Sequence, residues 1–183
     1  MANLSILFQS LTLTAFLFAR SLIISCALVV PGIAEALSKD HKEPFLVEAD
    51  SGVVDEKIGS TVYRGAVSIA QGSMHILADE VEIITNEEGE VITVIARTDE
   101  GSDRLAHMEQ QPDNTEKVYA DARRIKYLIQ EQKVHLSGSA RLRQMDDEFT
   151  GELVYYDVRE GLVNLKGGAG SNERVKIKYN TAK

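Results

Sequence analysis

Tryptophan is missing from this chain, and its single cysteine, Cys26, falls in a leading segment unlike the rest. Long apolar runs are missing too. The stretch that follows Arg20, "SLIISCALVVPGIAEA", is apolar for well under the roughly 20 residues that a membrane-spanning helix needs. A basic residue, a short apolar core and Ala34-Glu35-Ala36 together read as a secretory signal peptide over 1–36, cut between Ala36 and Leu37. The sequence "IISC", ending at Cys26, weakly resembles a lipoprotein cleavage site, but Arg20 leaves almost no apolar core before it. Cleavage after Ala36 removes Cys26, so the mature chain, a single domain over 37–183, enters an oxidising compartment without a disulfide and depends on packing and strand pairing.

Basic charge is also scarce. Twenty Lys and Arg face 28 Asp and Glu, a net charge of −8 that removal of Arg20 and Glu35 leaves unchanged. Neutralising a phosphate backbone needs a basic patch, so the acidic balance argues against nucleic acid, and it argues equally against docking on an anionic membrane surface. Recognisable chemistry is equally thin. His41, His75, His107 and His135 each stand apart from any second ligand at zinc spacing, save the generic pair His107 and Glu109. Asp146, Asp147 and Glu148 suggest an acid–base pair or a calcium site, yet read more simply as solvated charge at a strand end. No nucleophile elbow, P-loop or dinucleotide fingerprint occurs, and no cofactor or metal is expected.

What the chain does have is repetition. A small residue followed by a carboxylate recurs as Ala49-Asp50, Ala78-Asp79, Ala120-Asp121 and Gly151-Glu152, and "GAVSIAQG" (65–72) aligns with "GSARLRQM" (138–145) at a shift of 73. Each copy alternates with period 2, as half-buried strands do. Thr61, Tyr63, Gly65, Val67 and Ile69 share one face; Val62, Arg64, Ala66, Ser68 and Ala70 share the other. After Ala78 the inward set jumps an odd step to Val81 and Ile83, and comparable slips follow Ala120 and Gly151. An extra residue in an alternating strand marks a β-bulge, so the four carboxylates are expected to mark bends. Turn residues separate the strands, helical periodicity is absent after residue 37, and about 14–16 short strands are expected, arranged as a sandwich, jelly roll or solenoid-like roll.

The inward face is a repeated apolar stripe: Phe45, Val47, Tyr63, Val67, Ile69, Met74, Ile76, Ile83, Ile92 and Val94, then Ile125, Tyr127, Ile129, Val134, Leu136, Leu142, Phe149, Tyr156, Val163 and Leu165. Taken singly each is ordinary core; taken together they line either a dry interior or, if the sheets close along one edge only, an apolar trough.

The stretch "PFLVEADSGVVDEKIGSTVYRGAVSIAQGSMHILADEVEI" resembles the OstA-like domain family of LptA-type lipopolysaccharide-export proteins. The resemblance is carried by Pro44–Asp50, by Gly65–Gly72 and by Ile76–Asp79, and "GSARLRQMDDEFTGELVYYD" (138–157) resembles the family's second half. It covers 44–179 and implies an all-β fold, a twisted, slightly open antiparallel jelly roll in the periplasm, whose interior holds the acyl chains of lipid A. It further implies end-to-end stacking through terminal strands, bridging an LptC-like inner-membrane component and an LptD-like outer-membrane translocon. By position, Phe45, Leu105, Tyr127 and Ile129 correspond to the family's lipid contacts. Two alternatives stay open: a closed β-solenoid adaptor that binds no lipid, and an enzyme using Asp146, Asp147 or Glu148. The last strand, "ERVKIKYN", sets Arg174, Lys176 and Lys178 against Val175, Ile177 and Tyr179, and lysine on an edge ordinarily blocks sheet extension unless an acidic partner faces it.

Overall fold

The computed structural model describes residues 43–111, 116–169 and 174–180; the expected signal peptide and its cleavage site lie outside them. Twelve antiparallel strands form one continuous sheet, and no helix occurs among the described residues. The first six are β1 (Leu46–Glu48), β2 (Ser51–Asp55), β3 (Ser60–Gln71), β4 (Met74–Thr85), β5 (Val91–Arg97) and β6 (Ala106–Gln110). The second six are β7 (Val118–Ala122), β8 (Arg124–Leu128), β9 (Lys133–Gln144), β10 (Asp147–Asp157), β11 (Leu162–Lys166) and β12 (Lys176–Lys178).

The sheet folds over along one row of residues. In β3 the register with β4 jumps from Arg64↔Glu80 to Val67↔Ala78, so Gly65 and Ala66 together oppose Asp79. In β9 the register with β10 jumps across Gly151 and Leu153, so Gly138 and Ser139 oppose Glu152. All four bulge residues are left-handed, at φ 84° and 44° in the first pair and 79° and 53° in the second. Glycine enters this region freely, which is why each bulge opens on one. The extra residue therefore sits on β3 and β9, not on the strands that carry the repeated carboxylates, which contribute the single residue opposite. The bend accounts for the phase slip in β4, because two residues against one displace the partner's inward set by one position.

Bending also resolves the strand count. β3, β4, β9 and β10 continue through the corner, so twelve strands supply eight segments to each of two facing layers, where 14–16 separate strands had been expected. One layer runs β2, β3, β4, β5, β8, β9, β10, β11; the other runs β1, β3, β4, β6, β7, β9, β10, β12. Both inner faces contribute to one core, which includes Val67, Ile69, Val81, Ile83, Ile125, Leu136, Leu142 and Val154. Its largest fully buried side chain is Tyr127.

The second six strands repeat the first. The left-handed residues Gly59, Gly65, Ala66 and Gly72 recur as Gln132, Gly138, Ser139 and Met145, each at the shift of 73 read from the sequence. Hydrogen bonds repeat with them: Thr85 N–H donates to Gly59 C=O at 2.8 Å, and Val158 N–H to Gln132 C=O at 2.9 Å. In the middle of the molecule the halves are joined by β5 on β8 and β6 on β7.

Candidate functional site

The interior between the layers is where the sequence places its binding residues. Val67, Ile69, Met74, Ile76, Ile83, Val94, Ile125, Tyr127, Ile129, Val134, Leu136, Leu142 and Tyr156 are all buried in the common core. Phe45, Val47, Tyr63 and Phe149 pack against it half-buried. Leu105, on the crossing between β5 and β6, is half-buried. Ile92 departs from the pattern. A register shift pairs Thr85 with Val91 and leaves Ile92 without a partner on β4, so Val91 takes the inward place while Ile92 stays outside the core cluster.

The interior is filled along most of its length by these side chains. Between the layers, a small void of about 10 Å³ lies beside Met108, Val118, Val134, Leu142 and Tyr156. Two apolar faces brought together close on each other, since an unfilled apolar cavity costs roughly 24 cal/mol per Å³. The layers separate at the rim opposite the corner, where a cleft of about 570 Å³ is lined by Glu43, Phe45, Gln71, Glu90, Val91, Ile129, Gln130, Gln132 and Arg159. Phe45, Val91 and Ile129 form its apolar wall, and the remainder is polar. Gln71 is buried, and its amide donates to Glu43 C=O at 3.0 Å. Val91, Gln71, Gln130, Gln132 and Arg159 were not foreseen; the register shift and the hairpin backbone that place them leave no mark in a period-2 pattern.

Charged groups stay on the outside. His107 Nδ1 lies 2.8 Å from Asp121 Oδ1, and Arg143 Nη2 lies 3.5 Å from Asp121 Oδ2. The hydrogen bond from His107 holds the Asp121 carboxyl below its ordinary range. His107 thus has a carboxylate partner that sequence spacing hides, because the two residues sit on adjacent strands. Burial pushes the His135 imidazole down and the Tyr156 phenol up. Asp147 accepts from Asn180 N–H at 3.1 Å and Glu148 faces Arg141 at 3.8 Å, both structural contacts. Among the described residues, no group of three or more His, Cys, Asp or Glu is placed to hold a metal.

The two ends of the sheet are unlike the middle. Apart from Leu77 and Met145, every exposed large hydrophobic among the described residues lies at one end or the other. Leu46, Val53, Val54 and Ile58 lie at the β1/β2 end; Leu162, Val175, Ile177 and Tyr179 lie at the β11/β12 end. The first end carries Glu48, Asp50, Asp55 and Glu56 beside Lys57, and the second carries Lys166, Arg174, Lys176 and Lys178.

A family profile described as "LptA/(LptD N-terminal domain) LPS transport protein" matches residues 46–162. The lipopolysaccharide export system protein LptH of Pseudomonas aeruginosa is 32% identical over 142 residues, which are 76% of this chain and 77% of that protein. The lipopolysaccharide export system protein LptA of Escherichia coli K12 is 28% identical over 141 residues, 76% of this chain and 74% of its own. The crystal structure of Pseudomonas aeruginosa LptH superimposes with a TM-score of 0.66 at 27% identity, covering 77% of this chain and 98% of that one. A two-layered sheet built by duplication, closed at a corner and parted at its rim, accompanies these matches, and the chain belongs to the LptA/(LptD N-terminal domain) lipopolysaccharide-transport family.

Proposed function

We propose that this protein carries lipopolysaccharide through the periplasm, shielding lipid A acyl chains between its two layers. The observation that carries this reading is an aliphatic interior whose layers are held together at the corner and parted at the rim. Acyl burial is worth about 0.8 kcal/mol per methylene, roughly 10 kcal/mol for a twelve-carbon chain, so a carrier needs apolar surface and no reaction. A chain enters at Phe45, Val91 and Ile129 and goes deeper by exchanging side-chain contacts for acyl contacts, past Ile69, Ile83, Val94, Tyr127 and Leu136. That exchange is nearly neutral, because hydrocarbon replaces hydrocarbon. Photoreactive residues at Tyr127 and Leu136 are expected to crosslink to lipopolysaccharide in cells, while those at Arg64 and Lys126 on the outer face are not. Equal labelling of both faces, or none at either, would leave the closed-adaptor reading in its place.

The proposed partners are a second copy, an LptC-like component at the inner membrane and an LptD-like translocon at the outer one. The joint between the two halves supplies a template. β11 and β12 occupy the places of β5 and β6, and β2 and β1 occupy those of β8 and β7, so a following copy continues both layers. Within the chain, Val94 pairs with Tyr127 and His107 with Asp121. Across the joint the same register sets Val163 against Val54 of the next copy, and Lys176 against Glu48 of the next copy. The lysines that would block an edge thus meet the acidic end, and backbone pairing extends the sheet.

A further inference from the structure

Of the three glycines in the repeated left-handed set, Gly59, Gly65 and Gly72, two are replaced in the second half. Gly72 becomes Met145 at an exposed hairpin tip, and Gly59, at φ 61°, becomes Gln132, at φ 55°. A residue with a Cβ held left-handed costs about 1–2 kcal/mol that glycine does not. Gln132 makes the same backbone hydrogen bond that Gly59 makes, so nothing in the hairpin asks for the larger residue. Both positions line clefts, but unlike ones: Gly59, where a Cβ would come within 2.8 Å of Thr85 O, lines a cleft of about 510 Å³ walled by the turns before β3 and after β4, whereas Gln132 lines the cleft between the layers together with Gln71 and Gln130.

Three primary amides beside the apolar wall of Phe45, Val91 and Ile129 make an amphiphilic mouth. A primary amide carries two N–H donors and one carbonyl acceptor without charge; Gln71 already gives one N–H to Glu43 C=O, and the donors and acceptors that remain match hydroxyl, amide and ester groups. Formal charge at the same rim is mixed, with Glu43 and Glu90 against Arg159, so an anionic group meets no net attraction there. We propose that this rim is a head-selecting subsite that binds the uncharged junction where acyl chains join a sugar, leaving phosphates to the solvent. The proposal rests on the carrier reading and adds to it a preference for what is attached to the chain. Left-handed strain kept beside a binding cleft is the pattern expected where a side chain is retained for contact and not for folding.

The test compares two single-chain amphiphiles with the same tail, n-dodecyl maltoside and n-dodecyl phosphocholine, each below micelle formation, on the wild-type protein and on Gln132→Gly. Wild type is expected to bind the maltoside about fivefold or more tightly than the phosphocholine, the worth of roughly one hydrogen bond. Gln132→Gly is expected to unfold at the same or a higher temperature and to lose most of that preference, its affinity for the maltoside falling to near that for the phosphocholine. Equal affinity of wild type for the two heads, or a variant that keeps the preference, overturns the subsite and leaves the carrier standing. Uptake of neither amphiphile by wild type overturns the carrier reading and the subsite with it.

Discussion

Asp121 shows how one side chain on the outer face ties the strands beneath it together. From β7 it meets His107 on β6 and Arg143 on β9, and its carboxyl is held below the ordinary value of 3.8, first by the His107 hydrogen bond. A carboxyl whose folded-state pKa is depressed contributes stability that is complete above its unfolded value and vanishes as pH falls through the folded one. Asp121→Asn is therefore expected to cost about 1 kcal/mol at neutral pH. Urea midpoints of the variant and the wild type should converge as pH drops below 3.8. Curves that stay parallel into acid would mean that the carboxylate's ionisation contributes nothing there.

Elements meet at the corner, and the repeated carboxylates have a defined task in it. Asp79 faces the bulge of β3 and also holds the segment 98–105 that carries the chain from one layer to the other. Its Oδ2 accepts from Asp99 N–H at 3.0 Å and its Oδ1 from Arg104 Nη2 at 2.6 Å. Asp79→Ala is expected to cost about 1–2 kcal/mol and to speed tryptic cleavage after Arg104, read by mass spectrometry of the nicked chain. Unchanged cleavage would show that the crossing is held by backbone alone. Much of this was readable beforehand. Alternation in 61–69 named the inward face of β3 correctly, and the odd step after Ala78 announced a bend. Which strand held the extra residue was not readable, since a bulge displaces the phase of the partner strand while leaving its own intact. Ile92 was misplaced for a similar reason: the shift that hands its position to Val91 happens in the pairing, not in the pattern. The partnership of His107 with Asp121 required knowing that β6 lies on β7.

At the scale of the whole molecule, the shift of 73 was legible in "GAVSIAQG" and "GSARLRQM", and it governs the architecture down to individual left-handed residues. The volume of the interior was not legible, because the same apolar stripe serves a packed core and an open trough; only the rim stands apart. Charge divides between the ends, and this makes assembly testable. Lys176→Glu is expected to weaken self-association about tenfold, and Glu48→Lys to do the same, while an equimolar mixture of the two single variants recovers, because in alternating order every joint faces opposite charges. The double variant, in which every joint again faces opposite charges, is expected to recover, as measured by light scattering across a salt series. A double variant as weak as either single would place the joint elsewhere. Since β1/β2 and β11/β12 are different surfaces at opposite ends, a contact between them uses up one of each and exposes one of each. Growth of that kind has no intrinsic stopping point and never closes into a ring unless the chain curves back on itself. In the proposed stacking, the span of the bridge is then fixed by whatever terminators wait at its two destinations, and one protein would serve a narrow gap or a wide one by changing only its copy number.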